Sequence, residues 1–279
     1  MTIARPRSLG QALDALAALP GAHLLAGGTD FMVEVNFGHR RPDHVVALRR
    51  VSDLAGWDVT DDEVVLRANL TYSRIERELA HLLPALAAAS RTVGSPQIRN
   101  AGTVAGNVAT ASPAGDTLPF LAAMDAVVAL RGGDGARAVP LADFVTGPKQ
   151  TSIRPGELIA ELRLPRVHGP QHFAKIGPRN AMVISIACCA LVLDLDARRV
   201  RCGLGSVAAV PLRPRAAEDF ISGEIDWDGP RTSPEAARRF GELAAEATDP
   251  ITDQRGTAGY RRHSAGVLAR RALERSLRS

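Results

Sequence analysis

Apolar positions fall at helical spacing near the start of the chain. Leu9, Ala12, Leu13, Leu16 and Leu19 form one stripe, Ser8 and Gln11 supply a capping box, and Pro20-Gly21 closes the helix. A short strand over 23–26 follows, then the segment FMVEVNF capped by Thr29-Asp30, then a strand over 43–48. This β-α-β rhythm predicts a small α/β unit. Alternation over 63–69 predicts another strand, Thr71 opens a helix in TYSRIERELA, and Pro84 restarts helix through LPALAAASRTV. From Thr92 to Asp116 there is no clean period, which predicts loop with short helical turns. A helix over 119–124, a strand over 126–131, a GGDG hairpin, a strand over 138–141, a surface connection over 142–146 and a strand over 157–164 complete this part. The stretch PRVHGP, 165–170, interrupts both helix and sheet and marks a boundary between domains 1–167 and 168–279. Beyond it the order changes to strands near 171–175, 185–194 and 199–208, then helices over 215–221, 233–247 and 259–277. Strands followed by helices predict a layered α+β domain.

The 279 residues, 46% hydrophobic and 23% charged, have the balance of an ordinary globular protein. Aromatics are only 4%, so the core must be mostly Ala, Val, Leu and Ile. The net charge of +4 raises the question of nucleic acid, but the arginines are scattered. The two basic clusters, Arg198 to Arg201 and Arg261 to Arg271, lack interleaved aromatics and read as solvated faces or docking faces for an acidic protein, not as a nucleic-acid surface. No run approaches the length of a membrane span and the N-terminus lacks a signal-peptide core, so a cytoplasmic protein is expected. Cys188, Cys189 and Cys202 include no CxxC pair. They read as buried small residues, and they are too few to hold an iron–sulfur cluster by the usual four thiolates.

Several local patterns are decoys. Gly203 to Ala208 has the GxGxxA form after a strand, but Pro211 and Pro214 forbid the helix that a dinucleotide fingerprint needs next. His168 and His172 are separated by Gly169-Pro170, and there is no HExxH, so no protein-held metal is expected. No GxSxG or comparable nucleophile motif occurs, and no catalytic residue is assigned to this chain.

Two glycine-bearing stretches remain, LLAGGTD over 24–30 and SPQIRNAGTVAGNVATASPAGD over 95–116. Glycine lets a ligand approach the main chain closely, and the hydroxyls of Thr29 and Thr103 beside exposed amides suit phosphate oxygens. Each stretch alone reads more readily as a tight turn than as a ligand site. Together they resemble the paired FAD-binding motifs of the flavin-carrying medium subunit of molybdenum hydroxylases, the xanthine dehydrogenase and carbon monoxide dehydrogenase family. HFAKIGPRNAMVISIACCALVLD and YRRHSAGVLARRAL also resemble that family, so the likeness covers nearly the whole chain.

The resemblance implies an α+β architecture: a two-part N-terminal FAD-binding domain of the vanillyl-alcohol-oxidase-like kind, then a C-terminal domain of a three-stranded antiparallel sheet with helices. It implies that Ala26, Gly27, Gly28, Thr29 and Asp30, with Gly102, Thr103, Val104, Ala105, Gly106 and Asn107, contact the pyrophosphate and ribityl of FAD. Asp116 would accept from ribityl or ribose hydroxyls, and Ile159 and Lys175 would lie near the ring, the lysine favouring the anionic reduced flavin. Thr29 stands where some flavoproteins of the wider fold carry a histidine bonded covalently to the flavin, so FAD is expected to be non-covalent. Gly115 departs from the alanine usual before the acid. By the same resemblance, a large subunit carries molybdopterin, a small subunit carries two [2Fe-2S] clusters, and NAD+ or oxygen takes the electrons, with purine oxidation as the expected overall reaction. A self-sufficient flavin oxidoreductase is the alternative, though no acid–base pair of its own is found, and a scaffold that has lost FAD would show broken glycine motifs.

Overall fold

The computed structural model describes residues 1–278. The first fifty residues form the expected α/β unit, a parallel sheet in which His44–Ala47 lies between Thr2–Ala4 and His23–Leu25. The helix Leu9–Ala18 is capped by Ser8, whose hydroxyl accepts from the Gln11 amide at 3.2 Å. The Gln11 side chain reaches one residue beyond the capping box and accepts from the Arg7 amide instead. Phe31–Asn36 is helical, but Asp30 does not cap it. Its carboxylate takes a hydrogen bond from Thr110 Oγ1 at 3.3 Å, eighty residues along the chain.

The second unit is an antiparallel five-stranded sheet in the order Trp57–Val59, Glu63–Arg67, Leu158–Pro165, Val127–Gly132, Gly135–Pro140. Leu158–Pro165 occupies its centre, and its register slips between Ile159 and Glu161. Helices Tyr72–Glu78, Pro84–Thr92 and Leu118–Ala123 bury Ile75, Leu86, Phe120 and Leu121 in the core shared with this sheet. The aperiodic stretch contains two helices, Pro96–Ala101 and Val104–Thr110. Residues 142–146 are not a surface connection. Leu141–Phe144 is a helical turn that sinks Leu141 and Phe144 into the core, followed by the short strand Val145–Gly147. One buried phenylalanine decides this, since an aromatic side chain is too large an apolar area to leave in water when a core lies beside it.

In the third unit, Ala187–Asp194 is the middle strand of an antiparallel sheet, with Gln171–Ile176 and Arg199–Gly205 on either side. All eight of its residues are buried. Successive side chains of a strand point to opposite faces, so a continuous apolar run needs a cover on each. Ala190 and Val192 enter the core of the N-terminal part, while Cys189, Leu191 and Leu193 enter a second core under helices Arg215–Glu224, Pro234–Glu246 and Ala258–Ser276. The strand thus belongs to both cores at once.

Gly203 and Gly205 are explained by this packing. A Cβ on Gly203 would lie 1.8 Å from the carbonyl oxygen of Pro119, and one on Gly205 would meet the Pro119 ring at 2.6 Å. They let the helix Leu118–Ala123 press onto the sheet. A charge cluster ties the same parts together: Asp125 binds Arg213 at 2.6 Å, Arg215 at 2.8 Å and Arg201 at 3.3 Å. The Arg261 to Arg271 cluster is only partly a solvated face. Arg261 is buried and donates to the carbonyls of Ile186 and Ser206 and to Asp253, holding the start of the last helix against the sheet. Cys188, Cys189 and Cys202 are buried thiols, with the Sγ atoms of Cys189 and Cys202 3.7 Å apart. Among the described residues, no helix is long and apolar enough to cross a membrane.

Candidate functional site: a cleft between two glycine motifs

The two glycine stretches meet main chain to main chain. A Cβ built on Gly27 would lie 2.1 Å from the Ala101 carbonyl oxygen and 2.8 Å from the Gly102 Cα, so nothing larger than hydrogen fits between them. Gly28, at φ +75°, adopts the left-handed turn that carries the chain from the strand His23–Leu25 into the helix Phe31–Asn36. On the other side, the Thr103 hydroxyl accepts from the Gly106 amide at 3.0 Å and caps Val104–Thr110. The Tyr72 amide donates to the Gly102 carbonyl and the Val104 amide to that of Leu70, each at 3.2 Å, which stitches the second motif to the sheet-bearing unit. Asn107 is oriented from behind, its Oδ1 accepting from Thr117 Oγ1 at 2.7 Å.

A cleft opens along this junction. Ala26, Gly27, Gly28, Thr29 and Asp30 line it from one side, Thr103, Ala105, Gly106 and Asn107 from the other, and Ile159 contributes from the central strand. The main-chain amides of Gly27, Gly28 and Thr29 meet no acceptor among the described residues. Unmade donors lining an open cleft form a cradle for an anionic group.

Four of the residues singled out from the sequence do not line this cleft. Gly102 lies behind it, where a Cβ would press on the Tyr72 ring at 2.9 Å, and Val104 is fully buried in the core. Asp116 and Lys175 form a buried ion pair, Nζ to Oδ2 at 2.5 Å, with side chains 6% and 8% exposed. Thr92 adds a hydrogen bond to the same carboxylate oxygen at 2.9 Å. Burial raises the Asp116 carboxyl above its ordinary range, opposed by the Lys175 ammonium and the Thr92 hydroxyl. Its second oxygen, Oδ1, is buried without a partner among the described residues. Lys175 lines a different cavity, bounded by Pro84, Arg91, Thr92, Phe173 and the loop from Gly177 to Val183.

Sequence reasoning missed several residues of the cleft. Tyr72 lines it: burial raises its phenol well above the ordinary range, and the charges of Asp30 and Asp116 add to this. Its signal was the flat ring that a glycine at 102 accommodates. Leu24, Leu48, Ala68 and Ile153 supply an apolar wall, and Glu34, Arg40 and Lys149 add charge. Thr110 stood inside the quoted motif. No spacing rule would have found Lys149, which enters through a left-handed turn at φ +57°.

Residues 1–167 match the family of the FAD binding domain in molybdopterin dehydrogenase. The chain belongs to that family. Residues 172–276 match a second family, the CO dehydrogenase flavoprotein C-terminal domain. Family relatives include the carbon monoxide dehydrogenase medium chain of Afipia carboxidovorans, 33% identical over 98% of this chain and 95% of the relative. The putative xanthine dehydrogenase FAD-binding subunit of Escherichia coli K12 is 31% identical over 77% of this chain and 76% of its own length. The nicotinate dehydrogenase FAD subunit of Eubacterium barkeri is 30% identical over 72% and 71%. Among solved structures, the reconstituted CO dehydrogenase from Oligotropha carboxidovorans contains a chain that superposes with a TM-score of 0.91 at 31% identity, covering 100% of this chain and 98% of that one. The architecture is therefore that of the family, an FAD-binding domain followed by a C-terminal domain built on a three-stranded antiparallel sheet.

Proposed function

We propose that this chain is the FAD-carrying electron-transfer subunit of a molybdenum hydroxylase, taking electrons from [2Fe-2S] clusters on a small partner subunit and delivering them to NAD+ or oxygen. The observation that carries the reading is the cradle itself, two glycine motifs in main-chain contact with unmade amides at their junction. FAD would supply the exchange between one-electron relays and a two-electron acceptor. In this reading the amides of Gly27 to Thr29, with the Thr29 and Thr103 hydroxyls, hold the diphosphate, and Asn107 is kept in place by Thr117.

The residues at 1–167 and 168–279 divide the work, the first part binding and the second closing the fold around Lys175. The substrate is read elsewhere: relatives of this one chain are named for carbon monoxide, nicotinate and xanthine alike. Purine oxidation remains the specific form of the proposal and belongs to a large molybdopterin subunit. Purified alone, the chain should bind FAD, oxidise NADH slowly with artificial dyes and turn over no purine. Acid precipitation should release yellow flavin into the supernatant, because Thr29 offers no covalent link. Flavin retained on the denatured polypeptide would overturn the non-covalent assignment, and purine oxidation by the isolated chain would overturn the division of labour.

A further inference from the structure

The cleft contains a charge device that the glycine motifs do not explain. Among the described residues, its lining cations are Arg40 and Lys149, and its lining carboxylates are Asp30 and Glu34. Both cations converge on Glu34. Arg40 binds its Oε2 at 2.7 Å, and Lys149 approaches its Oε1 at 3.4 Å. The two are held very differently. The Arg40 guanidinium also donates to His23 Nδ1 at 2.9 Å and stacks over the Phe31 ring at 5.4 Å from its centre. Burial, then the Arg40 charge, lowers the His23 pKa, which keeps that ring a neutral acceptor. Arg40 is therefore a fixed part of the wall. Lys149 is fixed at its main chain, where its amide donates a hydrogen bond to the Ala111 carbonyl at 2.9 Å. Its side chain is 66% exposed, and its one ionic contact among the described residues is long and shared with a better partner.

We infer that Lys149 is the movable counter-ion of the cleft, leaving Glu34 to neutralise the diphosphate of the bound dinucleotide while the Arg40–Glu34 pair stays closed behind it. This rests on the FAD reading. The cradle offers uncharged amides, and a dianionic group brought against Asp30 and Glu34 needs a cation that can reach it. Arg40 would have to break three contacts to do so. Lys149 breaks one weak contact, and Glu34 keeps its stronger pair.

The test uses the whole chain with FAD, ADP and adenosine as probes, FAD by fluorescence quenching and the others by displacement. Lys149→Asn removes the charge and keeps a residue tolerant of the left-handed turn, and Lys149→Arg keeps the charge. Lys149→Asn should raise the Kd for FAD and ADP about three- to tenfold at low salt, leave adenosine unchanged, and lose its effect near 1 M salt, where screening acts within about 3 Å. Lys149→Arg should restore binding. Equal FAD affinities for the native chain and Lys149→Asn at low salt would overturn the inference and leave the FAD reading standing. A native chain that binds no FAD would remove both.

Discussion

The glycine-lined cleft and the cavity over Lys175 are built on opposite principles. The cleft is made of main chain, its shape set by Gly27 against Ala101 and its binding groups being amides and hydroxyls. The second cavity is lined by Lys175, whose side chain is paired with Asp116, the two brought together from fifty-nine residues apart and sealed from water. A main-chain site tolerates many changes around it but none at the contact. A buried ion pair tolerates isosteric change at both members together but not at one alone.

The most severe break should come from the ion pair. Lys175→Met leaves a buried carboxylate without its cation and should lower unfolding free energy by about 3–5 kcal/mol. Asp116→Asn with Lys175→Met should recover most of that loss, and urea melts of the two single variants and the double variant measure the coupling. If the double variant is as unstable as Lys175→Met, the broken pair is not the source of the loss. Gly27→Ala comes next. Its methyl group has no space before the Ala101 carbonyl, so overpacking of about 1–3 kcal/mol is expected. FAD affinity should fall by about tenfold or more as the motifs part, an amount equivalent to roughly 1.4 kcal/mol. Gly10→Ala is the matched control. It sits in a helix with open space around it, and it should stabilise the chain by about 0.5–1 kcal/mol without touching FAD binding.

The smallest effect sharpens the comparison by moving a charge pair into water. Glu78 is held down to about pKa 2, chiefly by its hydrogen bond from Arg74, with Arg77 and Trp57 assisting and burial opposing. A depressed folded pKa means that the native state holds the proton less tightly than the unfolded chain does. The stabilisation is therefore complete above the ordinary value of 4.5 and disappears as pH falls toward 2. The stability gap between the native chain and Glu78→Gln should close over that window in acid denaturation curves. A gap that stays constant down to pH 2 would show that the Arg74–Glu78 contact does not form in solution.

The parts of the fold that a single segment determines were legible in the sequence. The stripe from Leu9 to Leu16 and the run from Ala187 to Leu193 carry their own period, and the structure places both as helix and strand. Elements defined by their partners were not legible. Trp57–Val59 and Thr2–Ala4 are three-residue edge strands that exist through hydrogen bonds to a neighbour, and no local pattern of that length is informative. Phe144 and Arg261 were not legible for a related reason: a core side chain in a polar stretch, and a buried arginine in a basic one, are specified by what packs over them. In the site, the motifs located the main-chain cradle. The placing of Lys175 in another chamber, paired with Asp116, depends on the sheet bringing Lys175 beside Thr92, and sequence spacing contains nothing of that.

The sealed thiols bear on how the chain ages. Peroxide attacks the thiolate, and the thiol hardly reacts. Burial pushes the Cys188 thiol far above its ordinary range, and the contact with Cys189 together with burial does the same for Cys202. The sulfur that water reaches belongs to methionine: Met182 is 55% exposed, beside the cavity of Lys175, and Met32 is 45% exposed on the helix that follows the first glycine motif. Oxidative wear on this subunit therefore falls on thioethers, which form sulfoxides that dedicated reductases reverse, and it spares the sheet on which both cores depend.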